Sequence, residues 1–299
     1  MLKNTLLLLF TAITLTSFAQ SQEQFVPIAD AKKHKVIAVT ELFQNYDEAG
    51  NIIPNNHKSF IEQYNSQGYL KMRINFNPNN TKRNSYSFHY NNKHQIDGVI
   101  IKNGKDIIVD KHTIRYNKKG LVTKEEGLAT GNQYVITYKY NENEKLIKKE
   151  KKDKSGKTIS QKDFKYNNEN KIIKEIYIGK KTYTTAYNYN KKGEQIKISY
   201  SVDTTVNYTL KYTYTDKGEI NTEEKYDQIH RIIYRITYHY AENNKATKVE
   251  QQYSQLMGGY YKKWEYIYNE HEHIKQIKMY NFTDKVPVSI TKYIYKEKK

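Results

Sequence analysis

The stretch NEHEHI, from Asn269 to Ile274, holds the densest group of metal-type ligands in the chain, with His271 and His273 two apart and Glu270 and Glu272 before and between them. Two imidazoles on one side of an extended chain could hold zinc, but such a site needs a third and a fourth ligand. The phrase also falls where polar turn residues are expected, so no metal is assigned to it. The paired carboxylates Glu125-Glu126 and Glu223-Glu224 suggest acid–base work, yet neighbouring strand residues point to opposite faces and cannot share a proton. They follow turns and stand among lysines, which makes charge neutralisation their expected role. No G-x-S-x-G, P-loop, H-E-x-x-H or calcium-loop pattern occurs in the sequence. An enzyme is therefore not expected, and no cofactor is implied.

Aromatic residues carry the remaining functional promise. Tyrosines on one face with lysines nearby can receive sugar rings or nucleobases. The recurring Tyr140, Tyr166, Tyr189, Tyr214 and Tyr240 are the candidate ligand contacts, together with Trp264, the single tryptophan, which follows the irregular phrase LMGGYYKK. The same residue types are also the ordinary core of a β-sheet, so both uses stay open.

These tyrosines are positioned by a repeat. Aligned on the opening aromatic, the copies begin at Tyr46, Tyr64, Tyr90, Tyr116, Tyr140, Tyr166, Tyr189, Tyr214, Tyr240 and Tyr268, with a last one at Tyr295. From Tyr90 onward the spacing runs from 23 to 28 residues, a period that marks repeat architectures. The next residue is Asn or Asp in most copies. Four residues on stands Gly50, Gly68, Gly120, Gly193 or Gly218, or else Asn170 or Asn244, and six residues on comes an aliphatic such as Val122, Leu146 or Ile172. A type I turn favours Asn or Asp at its first position, and a left-handed residue after it closes a three-residue hairpin loop. Glycine and asparagine tolerate that conformation best. The spacing thus sets Tyr140 opposite Leu146 and Tyr166 opposite Ile172.

A second aromatic usually stands two residues earlier, as at Phe88, Tyr138, Phe164, Tyr187, Tyr212 and Tyr238. This period of two marks a strand with one apolar face. Midpoint turns are expected at Gly104, Gly131, Gly156, Gly179, Tyr226–Gln228, Gly258-Gly259 and Asp284. Each repeat is then two strands. The fold class is all-β: an up-and-down antiparallel meander of about twenty short strands from ~25-residue hairpin repeats, curled into a rolled sheet, a sandwich or a partial spiral because open sheets of that size do not stay flat. One repeat buries too little to offset the entropy of ordering it, so neighbours must complete each other.

The bulk numbers narrow the setting. Residues 1–19, MLKNTLLLLFTAITLTSFA, read as a secretory signal peptide, with Lys3, an apolar run and a small-residue exit. Residues 20–45 fit the repeat poorly and read as a leader that caps the first strand, and residues 46–299 as the repeat array. The chain has no cysteine, hence neither disulfides nor a lipid-attachment site, and a periplasmic, cell-surface or secreted location follows. The net charge of +18 comes from 50 basic residues, of which five are arginine. Lysine is a hydrated point charge rather than a phosphate fork, so no specific nucleic acid is expected. Solvated strand faces, with lysines turned outward, or attraction to an envelope polyanion account for the charge. A membrane-spanning barrel is disfavoured by the strand KTISQKDFKYN, which puts Lys162 beside Phe164 and Tyr166 while Gln161, Asp163 and Lys165 fill the other face.

A tyrosine, then Asp or Asn, glycine at plus four and an aliphatic at plus six resembles the YD repeat of rearrangement-hotspot proteins, insecticidal toxin-complex shells and teneurins. The likeness extends from Tyr46 onward. Asparagine mostly replaces aspartate, and the arginine that commonly follows the glycine is replaced by Asn51, Tyr69, Leu121, Glu194 and Glu219. The resemblance implies an exported, non-catalytic β-sheet module, and many such proteins attach to surfaces or glycans. The chain stops within the array, at KYIYKEKK, so the enclosed-cargo role of the family is not expected of it. The expected function is binding of a glycan or another envelope polymer through tyrosine-rich and lysine-rich faces. The alternative is a structural or assembly protein that contacts another envelope or secreted protein.

Overall fold

The structure is a computed structural model that describes residues 28–298, apart from 48, 50, 55–56, 130 and 282–285. The signal segment, Gly50 and the turn at Asp284 lie outside the described residues. A short helix, α1 (Ile28–Lys33), precedes β1 (Val36–Asn45), β2 (His57–Tyr64), β3 (Leu70–Phe76), β4 (Lys82–Tyr90), β5 (Ile96–Asn103) and β6 (Ile108–Tyr116). Next come β7 (Val122–Ala129), β8 (Asn132–Tyr140), β9 (Leu146–Asp153), β10 (Thr158–Tyr166), β11 (Ile172–Ile178), β12 (Thr182–Tyr189) and β13 (Gln195–Val202). The last are β14 (Thr205–Tyr214), β15 (Ile220–Asp227), β16 (Ile232–Tyr240), β17 (Ala246–Tyr253), β18 (Tyr261–Tyr268), β19 (Ile274–Asn281) and β20 (Ser289–Glu297).

The turns form as their residue types dictate. In the β4–β5 hairpin the Asn91 N–H donates to the Gln95 carbonyl and the His94 N–H to the Asn91 carbonyl, both at 2.9 Å. The Asn91 Oδ1 accepts the backbone N–H groups of Lys93 (2.9 Å) and Gln95 (3.0 Å). Position plus four is left-handed in every described copy from Tyr64 to Tyr268, including three whose side chains give no hint of it: His94 (φ 60°), Glu144 (φ 59°) and Glu272 (φ 61°). Tyr140 pairs with Leu146 and Tyr166 with Ile172, as the spacing requires, and the register slips by one residue there. Several midpoint turns reuse the same geometry. One differs from expectation: between β5 and β6 the left-handed residue is Asp106 (φ 62°) rather than Gly104. A Cβ on Gly104 would stand 2.3 Å from the Lys82 carbonyl oxygen, so glycine there serves close approach of the β3–β4 hairpin that precedes it.

Each strand pairs antiparallel with its sequence neighbours, and β1 pairs with both β2 and β20, so the twenty-stranded sheet closes on itself. Closure is the outcome that the meander left open among rolled, sandwiched and spiral forms. The closing strand lies within the segment read as a leader: Thr40 stands between Ile61 and Ile294. Strands ~4.8 Å apart and tilted by about 35–45° put the barrel wall roughly 37–43 Å across, wider than side chains can fill.

Burial identifies the inner face. In β8, Tyr134, Ile136 and Tyr138 are buried while Gln133 and Lys139 are exposed. Side chains converge on the concave side of a closed sheet and splay on the convex side, so the tyrosine parity faces the lumen. Deep burial gathers in two patches, one around Val39, Phe60, Phe88, Val99 and Tyr293, the other around Ile114, Tyr134, Ile136 and Tyr138. At the end of the barrel formed by the tyrosine turns, α1 buries Ala31 beside Val36.

Candidate functional site

The recurring tyrosine of each repeat turns inward at that same end, and its hydroxyl reaches the hairpin before it. Tyr140 donates to the Val122 carbonyl oxygen (2.8 Å), Tyr166 to Leu146 (2.8 Å), Tyr189 to Ile172 (2.7 Å), Tyr214 to Gln195 (2.6 Å) and Tyr240 to Ile220 (2.8 Å). Tyr90, Tyr116, Tyr268 and Tyr295 make the same bond. Each acceptor is the residue at plus six, where the register slip leaves one residue of the returning strand out of the ladder. A backbone carbonyl at such a slip needs a partner, and the next repeat supplies it. The five candidate contact tyrosines are thus spread over alternate strands from β8 to β16 with their hydroxyls engaged, the Tyr140 ring packs against the core and the Tyr189 ring lies under Lys171.

Deeper in the barrel stands a set of inward carboxylates that includes one member of each adjacent pair, Glu125 and Glu223, and adds Glu62, which the sequence pattern did not mark. Glu62 and Glu125 are 0% and 2% exposed. Glu62 accepts hydrogen bonds from the Tyr64 hydroxyl and from Arg73 Nη1 (2.9 Å). Glu125 accepts from the Tyr138 hydroxyl at 2.9 Å and meets His112 Nδ1 at 2.7 Å, while His112 Nε2 lies 3.1 Å from Asp110 Oδ2. Glu223 accepts from Tyr234 (2.9 Å). Burial would raise the Glu125 carboxyl, but the bonds from His112 and Tyr138 hold it below the usual carboxylate range. Burial and the Glu125 charge push the Tyr138 hydroxyl well above the ordinary tyrosine value. The adjacent pairs divide as strand alternation requires: Glu126 turns outward to Arg115 and Lys124, and Glu224 to Arg235. The signal that could have revealed the inward ones is positional, since Glu125, Glu175 and Glu223 all stand nine residues after the repeat tyrosine.

The same register brings lysines onto the tyrosine face, as the strand around Lys162 required and against the general expectation that lysines point outward: Lys225 lies over the Tyr208 and Tyr234 rings, and three others stand together on β9 and β10. Lys149 sits between Tyr138 and Lys162, and Lys151 between Ile136 and Ser160. Their ammonium groups lie over aromatic rings: Lys151 is 3.7 Å from the centroid of Tyr134, Lys149 is 5.3 Å from Tyr138, and Lys162 is 5.1 Å from Phe164. Lys162 also pairs with Glu175 at 2.6 Å. Burial, joined by repulsion from Lys162 and Lys151 and opposed by Glu125, brings the Lys149 pKa down to about 8. All three remain half-buried. They form a cationic, aromatic window on β8–β10.

Trp264 faces the lumen from β18, opposite Val249 and Met279, about half the circumference away from that window. His271 and His273 meet a residue from the far end of the chain: His34 stacks on His271 with centroids 4.0 Å apart and meets His273 edge-on at 5.5 Å. Among the described residues no group of three His, Asp or Glu side chains is arranged to hold a metal ion, and the histidines instead seat α1 on the barrel end. Among the described residues no helix is long and apolar enough to cross a membrane.

No family model matches the chain, and no curated protein matches it. Among solved structures the chain is similar to a complex of TcdB2, TccC3 and Cdc42, at 13% identity and a TM-score of 0.33, over 78% of this chain and 15% of that one. It is also similar to a porin-like protein from Bacteroides uniformis ATCC 8492, at 12% identity and a TM-score of 0.41, over 87% of this chain and 98% of that one. The chain spans about 15% of the length of the toxin-complex chain it matches.

Proposed function

We propose that the protein is an exported, non-catalytic binding module of the cell envelope or surface, built from YD-type hairpins, that holds an acidic glycan or a similar envelope polymer against the inner wall of its barrel. One observation carries this reading: Lys149, Lys151 and Lys162 share the lumen-facing side with Tyr134, Tyr138 and Phe164. Placing three ammonium groups on a partly desolvated wall is costly unless something compensates them. Glu125 and Glu175 offset part of that charge. The lowered pKa of Lys149 marks the remainder. An anionic group from a ligand would complete the set, and the flanking rings offer flat apolar faces to sugar rings. The lumen of a barrel with twenty strands is wide enough to admit a polymer chain.

Titration calorimetry with an acidic oligosaccharide such as oligogalacturonate, set against a neutral oligosaccharide of equal length, tests the reading. Saturable binding of the acidic ligand is expected, weakened about tenfold or more by Lys149→Gln with Lys162→Gln, consistent with losing two charge-assisted contacts. Equal affinity for both sugars, or no effect of the substitutions, would remove the acidic-glycan reading.

A further inference from the structure

The two ends of the barrel are chemically different, and we infer that the end formed by the midpoint turns rests on an anionic lipid bilayer. Because successive strands alternate in direction, the tyrosine turns from Tyr64 to Tyr268 lie at one end, and the midpoint turns lie at the other together with the β1–β2 connection that Tyr46 opens. The tyrosine end is cross-linked from turn to turn by Lys119 with Glu144 (2.7 Å) and Lys245 with Glu272 (3.1 Å), while Lys171 pairs with Glu169 (2.9 Å) within one turn.

The opposite end shows large apolar side chains to solvent on one turn after another. Ile107 is 58% exposed, Ile229 62%, Leu256 65% and Tyr260 60%, with Ile159 and Ile178 also exposed. These belong to the β5–β6, β15–β16, β17–β18, β9–β10 and β11–β12 turns or strand ends, so the apolar groups ring the barrel mouth instead of lining a groove. A ring of protruding side chains at the end of a cylinder matches a flat, deformable surface better than a compact protein epitope. Basic groups are interleaved with them. Lys105, Lys154, Lys157, Lys180 and Lys181 are exposed at this end and enter no ion pair among the described residues. Among the described residues, acidic groups there are engaged: Asp106 with Lys82, Asp153 with the Ser155 and Lys157 N–H groups, Asp203 with the Thr182 N–H and Asp227 with Arg231. Apolar side chains that enter the headgroup boundary, beside lysines that meet its negative potential, are the two signals that together hold a protein on a bilayer.

Flotation of the whole protein with phosphatidylcholine vesicles, and with vesicles containing about 30% phosphatidylglycerol, tests this. The anionic vesicles should carry the protein. Partition should fall about tenfold or more on phosphatidylcholine alone and in about 0.5 M salt. Ile107→Asn with Ile229→Asn and Leu256→Asn should abolish flotation while the circular dichroism spectrum and melting temperature stay unchanged. Lys154→Gln with Lys157→Gln and Lys180→Gln should remove the preference for anionic lipid. Failure to float, flotation indifferent to either set of substitutions, or variants that instead dissociate a dimer or a bound protein would overturn the inference. Since the lumen lysines are untouched by these variants, the outcome is independent of glycan binding.

Discussion

The Tyr166 hydroxyl donates to the Leu146 carbonyl oxygen at 2.8 Å, tying the tyrosine of one repeat to the register slip of the repeat before it. The Tyr166→Phe variant keeps the ring and removes only this bond. It should lower the free energy of unfolding by about 1 kcal/mol, the net worth of an ordinary intramolecular hydrogen bond. Urea unfolding followed by near-ultraviolet circular dichroism reads the loss. Because each tyrosine serves a separate hairpin, Tyr166→Phe combined with Tyr240→Phe should cost close to the sum of the two. Unchanged stability in both would mean that the bonds are incidental to the fold.

Buried Glu125 depends on His112 and Tyr138. His112→Ala leaves the carboxylate desolvated and short of a partner, at an expected cost on the order of 3 kcal/mol. Glu125→Leu in the same background should recover part of it, since an apolar pair leaves no charge to satisfy. A double variant less stable than His112→Ala would contradict the charge explanation.

Two glycines separate backbone strain from steric exclusion. Gly156 has φ 85° with open space around a built Cβ, so Gly156→Ala should cost only the left-handed penalty of about 1–2 kcal/mol. Gly127 lies under the Tyr134 ring, whose nearest atom would stand 2.1 Å from a Cβ, so Gly127→Ala should destabilise more and disturb the inner wall. His230, with φ 63°, is the converse case. His230→Gly should stabilise by up to about 1 kcal/mol.

The lowered Lys149 pKa of about 8 gives ligand binding a pH signature. Lys149 loses its proton as pH rises through that value, so affinity for an acidic oligosaccharide should fall between about pH 7 and pH 9, well below the ordinary lysine range. Lys149→Arg should bind with little change over the same interval, because arginine stays charged. A wild-type profile flat to about pH 9 would show that Lys149 does not touch the ligand.

His273 is 8% exposed, and burial, with repulsion from His34 and His271 against attraction by Asp30, lowers its pKa. A folded value below the unfolded one means that the unfolded chain takes up the proton first on acidification. The stability that His273 contributes is therefore full above about pH 6.5 and declines as pH falls through the folded pKa. The hydrogen-exchange protection of residues 28–36, taken relative to the intrinsic exchange rate at each pH, should fall between about pH 7 and pH 5, and His273→Gln should flatten that response.

Much of this architecture is written in short-range pattern. Asn at plus one, glycine or asparagine at plus four and an aliphatic at plus six specify the hairpin because turn energetics are settled within a few residues, and the pairing of Tyr140 with Leu146 follows from them. Where the side chain is indifferent, as at His94, Glu144 and Glu272, the left-handed backbone is imposed by the strands on either side. Alternation likewise assigns Glu125 and Glu126 to opposite faces without any knowledge of the tertiary fold.

Which face became the interior was not decided locally. That depended on twist and stagger accumulated over twenty strands, which return β20 to β1 and seat Thr40 opposite Ile294. Only closure made the tyrosine side concave, buried Glu62 and Glu125, and turned Lys149, Lys151 and Lys162 toward a shared lumen. It also brought His34 against His271 across more than two hundred residues of chain. Hairpin geometry is a near-neighbour property, so residue types and spacing suffice to read it. Barrel closure is a sum over the whole circumference, and no single repeat contains it.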